Sequence, residues 1–176
     1  VVLALLAAEL ILGRPPICAC GVVRFWAGDV RSAENSQQIA DWYSFSHVIH
    51  GLLFYFAAHL IWRHAKFRAE RWALPIAMAC EAGWELLENS PLIIERYRAV
   101  TISYGYSGDS ILNSIADLGW MTVGFLLAAW IPARASIALA LAFEAFTLFM
   151  IRDNLTLNVL MLAWPIAGLR DWQAGG

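Results

Sequence analysis

Charge is scarce in this chain: Asp, Glu, Lys and Arg make up 15% of its 176 residues, where an ordinary soluble domain carries about 25%. The apolar set AVILMFWYC fills 60%, and the mean hydropathy is +0.59. A water-soluble domain of this size has too much surface for its volume to hide so much apolar area. A cytosolic enzyme, a nucleic-acid binder and a disordered chain are thereby excluded. No charge of one sign dominates either, and a net charge of −2 leaves no polyanionic partner, nucleic acid included. The chain lacks internal repeats, low-complexity runs and domain linkers. It also lacks the tight Cys/His spacings of zinc sites and the Gly-x-Ser-x-Gly elbow of serine hydrolases. What remains is one integral membrane unit, residues 1–176, in contact with membrane lipids.

Stretches free of Lys and Arg recur at Val1–Leu12, Ser44–Trp62, Trp72–Leu87, Ile111–Ile131, Ala135–Ile151 and Leu155–Leu169. A full crossing needs about 20 residues, with roughly 17–25 tolerated. Ser44–Trp62, Ile111–Ile131 and Ala135–Ile151 meet that alone; Trp72–Leu87 meets it if Glu88–Ser90 sits at an interface. Val1–Leu12 reads as the end of a span whose start precedes it, and not as a signal peptide, because no small-residue cleavage site follows. Pro165 and Gly168 interrupt the last stretch, which reads as a half-inserted or interfacial helix. The expectation is an all-α, polytopic transmembrane bundle of about five crossing helices plus that C-terminal helix.

Lys and Arg set orientation. Arg63, Lys66, Arg68 and Arg71 crowd the segment 63–71, whereas the longer segment 13–43 holds only Arg14, Arg24 and Arg31. Segment 63–71 is therefore placed in the cytoplasm. Segments 13–43 and 91–108 and the C-terminal segment 153–176 then lie outside, on the periplasmic face of a bacterial inner membrane. Their Trp26, Trp42, Tyr43, Tyr97, Tyr104 and Tyr106 suit a membrane interface.

Only Glu70 of the fourteen carboxylates lies in the basic segment; the rest fall in outer segments or the outer halves of spans. A carboxylate at mid-bilayer costs about 2.5–3.5 kcal/mol on insertion scales, so several together must share water, protons or cations. Helical spacing sharpens the clustering. His47 and His50 are i, i+3; Glu81, Glu85 and Glu88 are i, i+4, i+7; Asp109, Asn113 and Asp117 are i, i+4, i+8. Each set occupies one helix face. The faces are expected to meet around an outward-open polar cavity, joined by Asp41, Arg152 and Asp153. Glu9 and Glu144 lie deeper in their spans.

Imidazole and carboxylate together suit a divalent Zn, Mn or Fe ion, with His47, His50, Asp109 and Asp117 as ligands and Glu81 or Glu85 moving protons to or from an attacking water. The plainer reading of the same residues is an interior network that holds helices in register. Ser46, Ser110 and Ser114 are the available nucleophiles, with no motif behind them. Cys18-Ala19-Cys20 is compatible with copper binding, a redox pair or two buried thiols, and one intervening residue is short for an unstrained bridge. Cys80 reads as a packing residue. Asp153 or Asn154 suits a helix N-cap, while Arg152 suits either a counter-ion to the cavity or a grip on a phosphate headgroup. His59 and His64 have no assigned role.

The strings Gly13-Arg-Pro-Pro-Ile-Cys-Ala-Cys-Gly21, Glu34-Asn-Ser-Gln37, Asp41-Trp-Tyr43, Ser46-His-Val-Ile-His-Gly51, Glu88-Asn-Ser-Pro91, Gly108-Asp-Ser-Ile-Leu-Asn-Ser114 and Arg152-Asp-Asn-Leu-Thr-Leu-Asn158 resemble an uncharacterised family of alphaproteobacterial inner-membrane proteins, over Gly13 to Trp172. A looser resemblance is to the VanZ-like membrane proteins, linked to glycopeptide-antibiotic resistance. Asp41, His47, Glu85, Asp109, Asn113 and Gly124 follow their order of Asp then His on one span, an acid on the next and Asp-x-x-x-Asn before a glycine-bearing span. Asp117, His50 and the long outer loops lie outside that pattern.

Two functions follow as expectations. One is a metal- or cation-dependent hydrolase acting on a lipid-linked or envelope molecule. The other is a non-catalytic accessory subunit of a larger assembly, such as a photosynthetic or respiratory complex, which suits a small chain with nine Trp. A small transporter is a third, disfavoured by the missing repeat.

Overall fold

The computed structural model describes residues 1–62, 69–103 and 105–175, with the backbone alone for Ala69 and Glu70. Arg63, His64, Lys66, Arg68 and Tyr104 of the sequence reading lie outside these residues. The described residues form eight α-helices: α1 (Val2–Ile11), α2 (Ser44–Trp62), α3 (Ala73–Glu88), α4 (Pro91–Val100), α5 (Ile111–Trp130), α6 (Ala133–Ile151), α7 (Leu155–Ala163) and α8 (Ala167–Ala174). A short 3-10 turn, Ala69–Trp72, leads into α3.

Three helices, α2, α5 and α6, are long and apolar enough to cross a membrane. The five crossings expected from sequence are reduced to these three by that measure. Helix α3 has 16 residues, and Glu81, Glu85 and Glu88 shorten its apolar part; α1 is Val2–Ile11, and Gly13 just beyond it turns the chain at φ 75°. The segment 91–108, expected to be a loop, contains α4. Ser90 caps it, accepting from the Ile93 N–H at 3.4 Å, and Pro91 occupies the first turn, where a missing N–H costs nothing.

The distribution of polarity is inverted relative to a soluble protein. Only Ser136 and Thr147 of α6 are buried, while Phe149 is 85% exposed and Leu141 65%. Exposed apolar faces over buried polar groups fit a helix whose outer side meets lipid.

The bundle is organised on α2 and α5, which pack backbone against backbone. A Cβ on Gly51 would collide with the Met121 carbonyl and the Phe125 amide, and one on Gly124 with the Val48 carbonyl. The glycines let the two axes approach closely, as small residues do in membrane helix pairs. Leu5, Ala77, Ala82, Leu118, Met121 and Phe125 form the apolar core that adds α1 and α3 to this pair. Helix α6 docks on α2 through aromatic contacts, with Phe45–Phe143 ring centroids 5.0 Å apart and Phe45–Phe146 5.5 Å apart.

The irregular segment 13–43 is fixed to the start of α5. The first amides of a helix have no partner within it; here Ser110, Ile111 and Leu112 N–H donate to the carbonyls of Ser36, Pro15 and Pro16 at 3.1, 2.9 and 3.1 Å. The Arg14 guanidinium donates to the Asp109 carbonyl at 2.9 and 2.7 Å. Cys18 and Cys20 are joined as a disulfide, which selects the bonded pair among the alternatives for this dipeptide.

Helices α4, α7 and α8 make a second layer at the same end. Pro165 lies in the break that divides the C-terminal stretch into α7 and α8, whereas Gly168, expected to share in that break, is inside α8. The α7 start is capped twice: Asn154 accepts from Leu157 N–H at 2.8 Å, and the Glu144 carboxylate of α6 accepts from Leu155 and Thr156 N–H at 3.0 and 3.1 Å. An acid at a helix N-terminus is favoured by the helix dipole.

Candidate functional site

The cavity lies where the start of α2, the end of α3 and the start of α5 converge under α4 and α7. It encloses about 270 Å³. His47, His50, Glu81, Glu88, Asp109, Asn113 and Asp117 line it, with Tyr43, Tyr97 and Tyr106 from the outer layer. The expected meeting of three helix faces is thus present in the fold.

Glu81 is the junction of the two histidines. Its Oε1 stands 2.6 Å from His47 Nδ1 and 3.0 Å from His50 Nδ1. A buried carboxylate is satisfied when both rings donate Nδ1–H, which leaves each Nε2 with its lone pair. His47 Nε2 then faces Asp117 Oδ2 at 3.6 Å. Glu85 lies behind this layer, with Oε1 3.6 Å from His47 Nδ1. That oxygen is buried and has no hydrogen-bond partner. Asp117 Oδ1 accepts a long hydrogen bond from the Ser44 hydroxyl at 3.5 Å.

Two groups in the cavity could hold a metal ion: His47, His50 and Glu81, and His47, Glu85 and Asp117, each with ligand atoms within 4.8 Å of one another; the third such group among the described residues, Cys18, Cys20 and Glu34, has its sulfurs joined to each other. Bound to one tetrahedral zinc, two ligand atoms at about 2.1 Å from the ion are roughly 3.4 Å apart, so modest rotation closes either set. Nitrogen and oxygen donors of this kind suit Zn, Mn or Fe. The sequence reading had taken Glu81 and Glu85 for proton carriers; the geometry draws both into the ligand groups. Asp109, expected as a ligand, lines the same cavity but belongs to neither group.

Asp109 belongs to a second centre built on Asn89. The Asn89 amide donates to Asp109 Oδ2 at 3.1 Å, to Ser114 Oγ at 3.2 Å and to Glu9 Oε1 at 3.3 Å. Its Oδ1 accepts from the Asp109 backbone N–H at 2.6 Å. Tyr106 Oη donates to Asp109 Oδ1 at 2.9 Å. Burial nevertheless raises the Asp109 carboxyl to about 7. Nothing in helical periodicity singles out Asn89, which sits one residue past the end of α3; its one mark in the sequence is its place in the Glu88-Asn-Ser-Pro91 string.

Several other groups fall outside the cavity wall. Asp41 folds back on its own backbone, accepting from Ser36 and Tyr43 N–H at 2.8 and 2.7 Å, and burial raises its carboxyl above the usual range. Arg152 is exposed, ends α6 in the left-handed conformation at φ 57° and donates to the Trp172 carbonyl at 2.9 Å; it does not line the cavity. Asp153 accepts from Tyr43 Oη at 3.1 Å and Gln173 Nε2 at 3.0 Å, and burial raises it to about 6. Asn154, not Asp153, is the α7 cap. Ser46 lines the cavity, whereas Ser110 donates to the Gln37 carbonyl at 3.0 Å and Ser114 is held by Asn89. Gln37 and Gln38, which sequence reasoning passed over, anchor the outer segment: Gln37 Nε2 donates to the Gly108 carbonyl at 2.7 Å, and the Gln38 carbonyl accepts from Asn113 Nδ2 at 2.9 Å.

Fold and site together define a helical protein with three long apolar helices and a buried His/carboxylate cluster. The chain belongs to the family described as protein of unknown function (DUF2585), whose pattern matches residues 9–175. It is 62% identical to a "UPF0314 protein" of Novosphingobium aromaticivorans over 94% of this chain and 84% of that one. It is 55% identical to a "UPF0314 protein" of Paracoccus denitrificans over 93% and 83%, and 54% identical to one of Rhizobium johnstonii over 97% and 86%. These homologues come from alphaproteobacteria, as the sequence resemblance implied. No solved structure matches the chain.

Proposed function

We propose that this protein is a metal-dependent hydrolase of the bacterial inner membrane, acting from the periplasmic face on a lipid-linked or envelope molecule. The observation that carries the reading is Glu85: a buried carboxylate oxygen without a donor, close to His47 and grouped with Asp117. Buried carboxylates held together require a cation or a proton between them. The His47/His50/Glu81 group satisfies itself, so the ion belongs to His47, Glu85 and Asp117.

A divalent cation there supplies Lewis acidity and an acidified water. The protein residues divide the remaining work. Glu81 fixes both imidazoles by accepting their Nδ1 protons, the carboxylate support that metal-site histidines commonly receive. His50, on the cavity wall, keeps Nε2 free to take a proton from an attacking water and to return it to a leaving group. Tyr97 and Tyr106 present hydroxyls along the outer wall to orient the substrate. Helices α1 and α3 pack beside the three long helices and extend the bundle within the membrane. The cavity lies at the start of α2 and the end of α3, away from the helix ends that the basic stretch of sequence joins, which supports a periplasmic site. The order Asp41, His47, Glu85, Asp109, Asn113 shared with VanZ-like proteins supports an envelope role.

The test is elemental analysis of protein gently extracted from its native membrane. About one Zn, Mn or Fe per chain is expected, lost in His47→Ala and kept in His59→Ala. Absence of metal in the wild type, with the protein running inside a much larger assembly, would overturn this reading in favour of an accessory subunit.

A further inference from the structure

The cavity is two-sided in chemistry. Its floor is acidic and imidazole-rich, while one flank is apolar: Phe54 of α2, Trp84 of α3, and Leu155 and Val159 of α7. No Lys or Arg lines it among the described residues. Phe54 follows His50 by four residues and Trp84 follows Glu81 by three, so each apolar side chain shares a helix face with a floor group. Val159 lines the cavity and is also 52% exposed. The wall at α7 is therefore at once the cavity wall and the outer surface of the bundle. Leu53, next to Phe54, and Leu87, one turn beyond Trp84, are 54% and 46% exposed, which carries the apolar surface outward on both neighbouring helices. The outer end, by contrast, is lined by polar and aromatic groups of the irregular segments, including Asn35, Ser103 and Tyr106.

We infer that the cavity is loaded sideways from the bilayer, by a single-chain amphiphile whose compact polar head meets the His47/His50/Glu81/Asp117 floor while its chain leaves between α2, α3 and α7. The volume of about 270 Å³ accommodates a head and the first few methylenes, and the rest of the chain stays in lipid. Each buried methylene contributes about 0.8 kcal/mol, so the flank supplies affinity and the floor supplies selection. The choice of head rests on the metal reading above. An acidic floor without cationic side chains accepts a phosphate ester when the ion is present and an ammonium head when it is not. Entry from the side holds in either case.

The experiment uses the full chain in nanodiscs with two photoactivatable probes, dodecyl phosphate and dodecylamine, each carrying a diazirine near the head end of the chain. Metal content is measured on the same sample. Adducts at Phe54, Trp84, Leu155 and Val159, competed at least tenfold by the unlabelled amphiphile and not by inorganic phosphate, are expected from at least one probe. Val159→Trp should remove these adducts at unchanged metal content. Competed labelling by the phosphate probe on metal-loaded protein supports both readings. Competed labelling by the amine probe alone, on metal-free protein, supports side entry and overturns the metal site. Adducts from both probes that resist competition, or that fall equally on the outer face of α6 around Phe149, overturn side entry whatever the metal content.

Discussion

Asn89 and Glu85 are buried polar residues one helical turn apart, yet their environments make opposite predictions. Asn89 is fully engaged: it bridges Glu9, Asp109 and Ser114 and answers the Asp109 amide. Its truncation orphans several buried groups at about 1–3 kcal/mol each. Asn89→Ala should therefore lower stability by about 2–4 kcal/mol, read as a large fall in Tm in detergent; an unchanged Tm would mean that water replaces the side chain. Glu85 is under-engaged, with Oε1 unpartnered near other carboxylates. Glu85→Gln should leave the Tm of metal-free protein equal or higher, while removing metal-induced stabilisation. A variant that folds better and binds less separates a ligand from a structural residue. The histidines and acids of this site were legible in sequence because each set repeats at helical spacing. Asn89 was not, since a residue at a helix end, bonded across 20 positions to Asp109, leaves no periodic trace.

Helices α2 and α5 meet backbone against backbone. The α2–α5 contact depends on Gly51 and Gly124, where a Cβ has no room, whereas Gly119 of the same helix has open space around its Cβ position. Gly124→Ala should cost about 3 kcal/mol by overpacking; Gly119→Ala should be neutral or stabilising by up to about 1 kcal/mol through helix propensity. Equal effects in a thermal-shift comparison would show that the helix pair tolerates separation. At the junction with α6 and α7, Asp153 has its carboxyl raised by burial to about 6, and Asp109 before α5 is raised to about 7. A carboxyl raised in the folded state binds more protons there than when unfolded. Its contribution is therefore complete below about pH 4 and lost as pH rises through its folded value. Tm should fall between pH 4 and 7, and Asp153→Asn, which can keep the Gln173 contact, should flatten the lower part of that fall. A Tm that rises across this window would contradict the burial assignment. Helices α2, α5 and α6 could be read from apolar length alone. Helix α4 could not, because Glu95, Arg96 and Arg98 interrupt its apolar residues and its partners come from α7: Arg96 donates to the Leu162 carbonyl at 3.0 and 2.9 Å.

For the whole molecule, composition announced the membrane, and the structure shows how the chain tolerates its acids there. Apolar side chains face outward along α6, while the carboxylates of α1, α3 and α5 turn inward to histidine, asparagine and tyrosine partners. The irregular segment 13–43 was legible only as an aromatic outer stretch. Its order comes from carbonyls that cap α5 and from Arg14 and Gln37 side chains that reach the backbone before it, and neither kind of contact leaves a periodic trace. One global property follows from the positions of two exposed arginines. Arg31 lies in the outer segment beside the C-terminal helix, where it contacts the Ala174 carbonyl at 3.5 Å. Arg134 opens α6 at the other end of the bundle, in the tight turn after α5. With the cavity facing the periplasm, Arg31→Cys in a Cys80→Ser background should react with a membrane-impermeant maleimide on intact spheroplasts. Arg134→Cys should react only after permeabilisation. The Cys18–Cys20 disulfide does not compete for the reagent. The reverse pattern would turn the site toward the cytoplasm, and the proposed envelope substrates would give way to cytoplasmic ones at the same cavity floor. The cluster of His47, Glu85 and Asp117 would be unchanged by that reversal, because its order is set by α2, α3 and α5 packing and not by the side of the membrane it faces.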